Sequence, residues 1–354
     1  MNNETLWKQK SREVWLKEGD KNSKFFHLST IIWRRRNAID AIKADDGEWI
    51  TCKDEIRNHI VSKFQALYTS KLVSFSLELD DLIWPSVSHF TNNFLCQIPN
   101  PFEIKEAMFG MQNLKSPGPD GLPPLFYKQY WPIVGSSVIK AVQNFFISGQ
   151  MLSEVNQSLI VLIPKVQSPT NVNHFLPISL CNTVYKIISK ILVSRLRLLL
   201  SNLISPCQST FVPDRWIAEN QLVVHELLHS FKKRKVKGGF VAMKVDLQKA
   251  YDRVNWDFLK AVLLKFGFSR IFVNWILQCV SSVSFSILVN GGKSKLFWPS
   301  RGLRQRDPLS PYLFILCQNV LSRIIEKQRL AGCISGVGMN RTVQLLLMLC
   351  TPMT

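Results

Sequence analysis

MKVDLQKAYDRVNWDFL, residues 243–259, decides how this chain is read. The run GGFVAM at 238–243 leads into Lys244, Val245 and Asp246, and from Val254 to Phe266 apolar residues recur at helical spacing. That pattern predicts a buried strand over 240–246 with Asp246 at its edge, followed by a loop and a helix. An acid there opens into a cleft beside the aromatic Tyr251. Hard oxygen ligands from Asp suit Mg²⁺, and phosphoryl transfer by two metals takes at least two carboxylates on adjacent elements. One strand supplies only part of such a set. Taken alone, an Asp after an apolar strand is more often a helix N-cap than a metal ligand.

The chain has 354 residues, 46% of them hydrophobic, enough for one large or two ordinary domains with a true core. Its 44 Lys and Arg against 25 Asp and Glu give a net charge of +19, which favours a polyanionic partner through counterion release. Two clusters concentrate that charge: Arg34, Arg35 and Arg36, and Lys232, Lys233, Arg234 and Lys235 with Lys237. Trp33 and Phe231 beside them are placed to stack on bases, or simply to pack. The 8 cysteines stand singly with no C-x-x-C pair, pointing to reduced thiols, no disulfide-linked partner and no zinc ribbon. No signal peptide and no uninterrupted apolar span is evident, so the expectation is an intracellular protein, nuclear or cytoplasmic, with no membrane. Residues 232–237 also read as a weak nuclear localisation signal or a plain loop.

The expected organisation is a helical, basic segment over 1–69, a linker over 70–95 where periodicity fades, and a mixed α/β domain over 96–354. Asn100 and Pro101 start a capped helix, and Pro117-Gly118-Pro119-Asp120-Gly121 forces a tight loop. Helices are expected at 125–150, 181–204, 254–267, 270–281 and 310–328. SLIVLIP is a buried strand, and 284–298 a hairpin turning at Asn290-Gly291-Gly292.

Six blocks share the order found in one family. They are WLKEGDKNSKFFH at 15–27, KSPGPDGLP at 115–123, LIPK at 162–165, FLPISLCNTVYKIISKIL at 175–192, the Asp246 segment, and RGLRQRDPLSPYLF at 301–314. On these the chain resembles the reverse transcriptase of plant non-LTR, LINE-type retrotransposons. The resemblance implies an α/β (α+β) fingers-and-palm fold, truncated, without the thumb, and preceded by a helical segment. It implies RNA-directed DNA polymerase chemistry with Mg²⁺, an RNA template, a DNA primer and dNTPs. Asp246 takes the role of metal ligand and catalytic acid, Tyr251 lies under the nucleotide sugar, and Gln305 contacts the nucleotide. Asp252 belongs to the same signature as a structural or supporting acid. The endonuclease of such elements is expected before Met1, and the thumb and any RNase H beyond Thr354.

Three departures stand against that pattern. Arg306 occupies the position after Gln305 where the family has Gly, so a long cation is expected in space meant for the nucleotide. Leu176 replaces the Arg before Pro-Ile-Ser that grips the triphosphate, and no aliphatic residue imitates its bidentate fork. Lys165 is then either the surviving finger cation or an exposed strand-end lysine. The Phe-Ala-Asp-Asp motif is missing: the sequence reads VQLLLMLCTPMT, and no Asp or Glu follows Glu326. A shifted reading frame around Leu346-Leu347-Met348 and a short deletion or splice error before Leu347-Met348-Leu349-Cys350 are two readings of the loss, and coincidence is the third, since Leu and Met are common in apolar strands. The expected function is therefore a catalytically silent member of the family. A non-catalytic nucleic-acid-binding remnant is the alternative. His225-Glu226-Leu227-Leu228-His229 also fits H-E-x-x-H, the zinc peptidase helix, but no His follows His229 to complete it.

Overall fold

A computed structural model describes residues 23–70, 79–233, 242–243, 245–334, 337–340 and 343–345. The first elements are helix α1 (Ser23–Arg36), the short pair β1 (Ile42–Lys43) and β2 (Trp49–Ile50), and helix α2 (Lys53–Tyr68). Ile56, Ile60, Phe64 and Tyr68 recur every fourth residue on α2 and are all buried, forming one stripe. That stripe packs on the sheet formed by β3 (Gln157–Pro164), β4 (Phe175–Cys181), β5 (Ser284–Val289) and β6 (Gly292–Lys293), with Ile160, Leu162, Phe175, Phe285 and Ile287 in the same core. The order across the sheet is β4-β3-β5-β6. β3 pairs antiparallel with β4, parallel with β5, and β5 antiparallel with β6. The last two strands turn through Asn290 and Gly291, both at positive φ (49° and 85°), the turn expected from the sequence. Asn290 also exchanges two hydrogen bonds with the backbone of Ile39, at 2.9 and 2.8 Å, tying the N-terminal segment to the hairpin.

The larger core lies under the helices. α3 (His89–Leu95), α4 (Pro101–Phe109), α5 (Pro124–Gln129), α6 (Trp131–Ser148) and α7 (Thr183–Arg197) surround its first part. After the single turn α8 (Leu200–Leu203) comes α9 (Ile217–Lys233), then α10 (Trp256–Lys265), α11 (Arg270–Ser281) and α12 (Ser310–Leu330). Their ends follow local chemistry. Asn100 accepts from the Glu103 amide at 2.9 Å, and Asn255 from those of Asp257 and Phe258, each satisfying donors that the first helical turn leaves unpaired. The helix expected over 125–150 is two helices, because Pro132 at the first turn of α6 starts a new one after Tyr130. The strand β7 (Val337–Asn340) pairs with β8 (Val343–Leu345) and, among the described residues, with nothing else.

Two sequence expectations change here. The segment read as a linker over 70–95 is packed from residue 79 onward: Leu79, Leu82, Ile83, Val87 and Leu95 are all buried in the main core. Apolar residues without regular spacing hide an irregular but buried stretch. The strand expected over 240–246 is not formed at its described positions. Ala242, Met243, Val245 and Asp246 are exposed and irregular. A strand needs a neighbour to satisfy its backbone, and β3 already has one on each side while, among the described residues, the β7–β8 pair joins no other strand.

The loop from Arg301 to Leu309, between the sheet and α12, is held by a buried ion pair. Arg304 Nε lies 3.2 Å from Asp307 Oδ2, and both side chains are almost wholly enclosed. Asp307 also accepts from Tyr185 Oη at 2.6 Å, Ser189 Oγ at 2.8 Å and the Leu309 amide at 3.1 Å. Arg304 donates to Asn156 Oδ1 and the Cys279 carbonyl, at 2.7 and 2.8 Å, and its guanidinium lies 3.8 Å from the Tyr185 ring centre. Every charge in this network has its partners, the condition under which a buried pair is tolerated. Arg304→Met leaves Asp307 charged and unpaired in the core, and is expected to destabilise the fold by about 3–5 kcal/mol. Urea unfolding followed by circular dichroism reads this as a lower midpoint; an unchanged midpoint would show that the loop is held by something else.

Candidate nucleotide and nucleic-acid site

Asp252, on the turn Tyr251–Arg253, is fully buried. Its carboxylate accepts from Tyr68 Oη at 2.9 Å and from Gln305 Nε2 at 3.3 and 3.1 Å. Burial raises its pKa above the ordinary 3.8, while those two bonds and the nearby Lys249 and Lys165 pull it back down. The turn and the loop are also joined by backbone: the Leu303 amide donates to the Tyr251 carbonyl and that of Gly302 to Val254, both at 2.7 Å. Gly302 sits at φ +99°, and a Cβ there would stand 2.7 Å from the Asp252 carbonyl oxygen. Only glycine permits so close an approach.

Around this carboxylate the structure gathers three of the residues singled out from sequence. Tyr251 is half-buried and stacks on Phe314, ring centres 4.7 Å apart at 16°, with burial raising its hydroxyl to about 12. Gln305 points its amide at Asp252, and its carbonyl accepts from the Ser179 amide on β4 at 3.2 Å. Lys165 follows β3, is exposed, and acts electrostatically on both Asp252 and Lys249. Leu176 pairs with Ile163 in the β3–β4 register, at the same end of the sheet as Lys165. Asp246 is exposed in irregular chain, and no contact among the described residues brings it to this group. Tyr68 and Lys249 belong to the group without any signal in the sequence, since one lies in the upstream segment and the other is one more lysine in a basic chain.

Arg306 adopts φ +67°, the left-handed conformation that suits glycine, and its side chain is exposed. The backbone there has a shape that glycine adopts freely. Of the basic clusters, Arg34, Arg35 and Arg36 form the exposed last turn of α1, and Arg36 lies 6.0 Å from the Trp33 ring centre. Lys233 ends α9 and is exposed, the Lys232 side chain is not described, and Arg234 and Lys235 lie outside the described residues. Leu346, Leu347 and Met348 also lie outside them. His225, Glu226 and His229 are exposed along α9 and line one shallow surface cavity with Leu228 and Phe231. Among the described residues no group of three or more metal-ligating side chains forms, so the zinc-peptidase reading gains no third ligand.

The domain is a four-stranded sheet capped by helices, with a Gln-bearing loop folded onto a Tyr-Asp turn. Residues 163–342, just over half of the chain, match the family described as reverse transcriptase (RNA-dependent DNA polymerase). The chain belongs to that family. It is 27% identical over 92% of its length to the Transposon TX1 uncharacterized 149 kDa protein of Xenopus laevis, covering 25% of that protein. It is 28% identical over 60% of its length to the Pol polyprotein of type-2 retrotransposable element R2DM from Drosophila melanogaster, covering 20% of it. A 50-residue stretch is 52% identical to the uncharacterized mitochondrial protein AtMg01250 of Arabidopsis thaliana, covering 14% of this chain and 41% of that protein. The chain thus spans a quarter or less of the two long relatives. No described helix is long and apolar enough to cross a membrane.

Two outcomes test this geometry. Arg306→Gly is expected to raise stability by up to about 1 kcal/mol by relieving a left-handed non-glycine residue, measured as a higher melting temperature. For Asp252 the folded pKa is raised, so its contribution is fully present below the ordinary value of 3.8 and is lost as pH rises through the raised value. Asp252→Asn removes that dependence. The stability gap between wild type and variant should therefore shift in favour of wild type as pH falls from neutral towards the carboxylate range; a gap independent of pH would contradict it.

Proposed function

We propose that this chain is the fingers and partial palm of a plant LINE-type reverse transcriptase, and that residues 1–354 bind template and primer without extending them. The observation that carries this reading is the contrast between the family match over 163–342 and the acid inventory: Asp246 carries the ligand position, and no Asp or Glu lies between Glu326 and Thr354, the stretch in which the resemblance places the acid pair. The family works with a divalent metal. The donor set does not fit one, because among the described residues no group of acids gathers at the exposed Asp246 and the well-enclosed Asp252 spends its oxygens on Tyr68 and Gln305. Two-metal transfer without a second carboxylate strand has no clamp on the attacking and leaving oxygens.

What the geometry does support is binding. Tyr251 is braced by Phe314 to hold an aromatic face, Gln305 is fixed by Asp252 and β4, and Lys165 supplies an exposed cation at the same end of the sheet. Arg34, Arg35, Arg36 and the stretch Lys232, Lys233, Arg234 and Lys235 supply phosphate contacts in this reading, and the net charge of +19 makes them a net attraction for RNA. The likeness to AtMg01250 supports a plant source. A role inside the cell, nuclear or cytoplasmic, follows from the same reading.

Primer extension on an RNA template with Mg²⁺ or Mn²⁺ is expected to give no product. RNA binding by the same protein is expected to weaken steeply with salt and to be indifferent to Asp246→Ala. Robust extension that disappears in Asp246→Ala would overturn the catalytic part of the proposal, and salt-independent or absent binding would overturn the rest.

A further inference from the structure

Asn290 is followed by Gly291, the only Asn-Gly pair in the sequence. Asparagine is chemically labile where its side-chain carbonyl carbon meets the backbone nitrogen of the next residue, and glycine is the neighbour that hinders that approach least. Both residues are exposed, and a Cβ on Gly291 would meet nothing within 4 Å, so the pair is open to water.

The same side chain also joins two distant parts of the chain. Asn290 Oδ1 accepts from the Ile39 amide at 2.9 Å and its Nδ2 donates to the Ile39 carbonyl at 2.8 Å, so one side-chain amide serves Ile39 as a neighbouring strand would. Among the described side chains of α1 only Thr30 is buried, and the stretch just after that helix is anchored to the sheet. There Ile39 and Ile42 enter the core shared with the sheet, and the Lys43 amide donates to the Thr170 carbonyl at 2.7 Å. Asn290 links this stretch to the β5–β6 turn.

We propose that Asn290 is a deamidation site gated by its own hydrogen bonds: a latch on residues 37–43 that opens reversibly until it reacts, and does not re-form afterwards. The chemistry needs only water and is independent of nucleic-acid binding. With the latch open, the Gly291 nitrogen gives its proton to solvent and attacks Asn290 Cγ. The Cγ–Nδ2 bond breaks, ammonia leaves, and a five-membered succinimide closes. Water then opens either ring carbonyl, giving aspartate or its β-linked isomer at position 290. While the latch is shut, its two bonds to Ile39 fix the side-chain torsions, and Cγ cannot swing onto the Gly291 nitrogen without breaking them.

Neither product restores those bonds. Aspartate accepts from the Ile39 amide but sets its second oxygen against the Ile39 carbonyl, two acceptors with no proton between them. The β-linked isomer also adds a backbone carbon to a tight turn whose two positive φ values, 49° and 85°, belong to its present length.

The test incubates the full chain at mildly alkaline pH and follows position 290 by peptide mass spectrometry, with hydrogen exchange of residues 37–44 read in parallel. Conversion at 290 is expected to be about tenfold or more slower in the folded chain than in the same chain unfolded in urea, because closed molecules outnumber open ones. Ile42→Ala loosens the core beneath the latch and should speed conversion in the folded chain severalfold; Ile42→Val takes its place if the first variant has no cooperative melt. Asn290→Asp supplies one product directly and should speed exchange of residues 37–44 about tenfold while leaving that of α7 unchanged. Equal rates in folded and unfolded chain, or no gain from the Ile42 variant, would overturn the gating. No conversion at 290 in urea would overturn the chemistry, and unchanged exchange in Asn290→Asp would overturn the latch.

Discussion

The carboxylate of Asp252 is the point on which this structure turns. A buried anion is costly unless its oxygens are met, and here they are met by side chains from two distant parts of the chain, Tyr68 at the end of α2 and Gln305 on the loop before α12. Those bonds fix where each part sits. The Tyr68 carbonyl in turn accepts from the Ser300 and Arg301 amides at 2.9 and 3.2 Å, and Arg301 reaches back to the Leu67 carbonyl at 2.9 Å. The loop's other end is held by Arg304 and Asp307. An N-terminal helix, a turn and a long loop are thus one construction, with the carboxylate at its centre.

That construction explains why the upstream helix, the turn and the loop hold one shape. Arg306 sits at a left-handed φ of 67°, Leu176 pairs with Ile163 in the strand register, and Tyr251 stacks on Phe314. Packing and backbone geometry depend on the neighbours of a residue. Catalysis depends on the charges at a few positions, and those can change at less cost to the fold. The chain as a whole carries positive charge, which acts at a distance and tolerates substitution.

Much of the fold is legible in sequence because its signals are local. Periodicity, turn residues and capping chemistry place α11, the Asn290-Gly291 turn and the Asn100 cap. The Pro-rich start of α12 marks that helix. β4 escapes notice as a strand: FLPISLC alternates buried and half-buried positions, but its outward residues include Leu and Ile, so no polar alternation marks it. The stretch 79–95 reads as a linker because its apolar residues serve an irregular packing surface. The palm strand is expected from a run of apolar residues that, at its described positions, finds no ladder to join.

The site divides along the same line. Tyr251, Gln305 and Lys165 come from the likeness to a family, and the structure sets them around a common carboxylate. Tyr68 gives no signal, because its role depends on a partner 184 residues away, a separation that no local pattern records. The most direct test of the central role of Asp252 compares the thermal unfolding of residues 96–354 with that of the full chain. If Asp252 makes the N-terminal segment part of the polymerase fold, the shorter chain loses its cooperative transition or melts well below the full one. Equal melting temperatures would contradict that role and restore a domain boundary at residues 70–95.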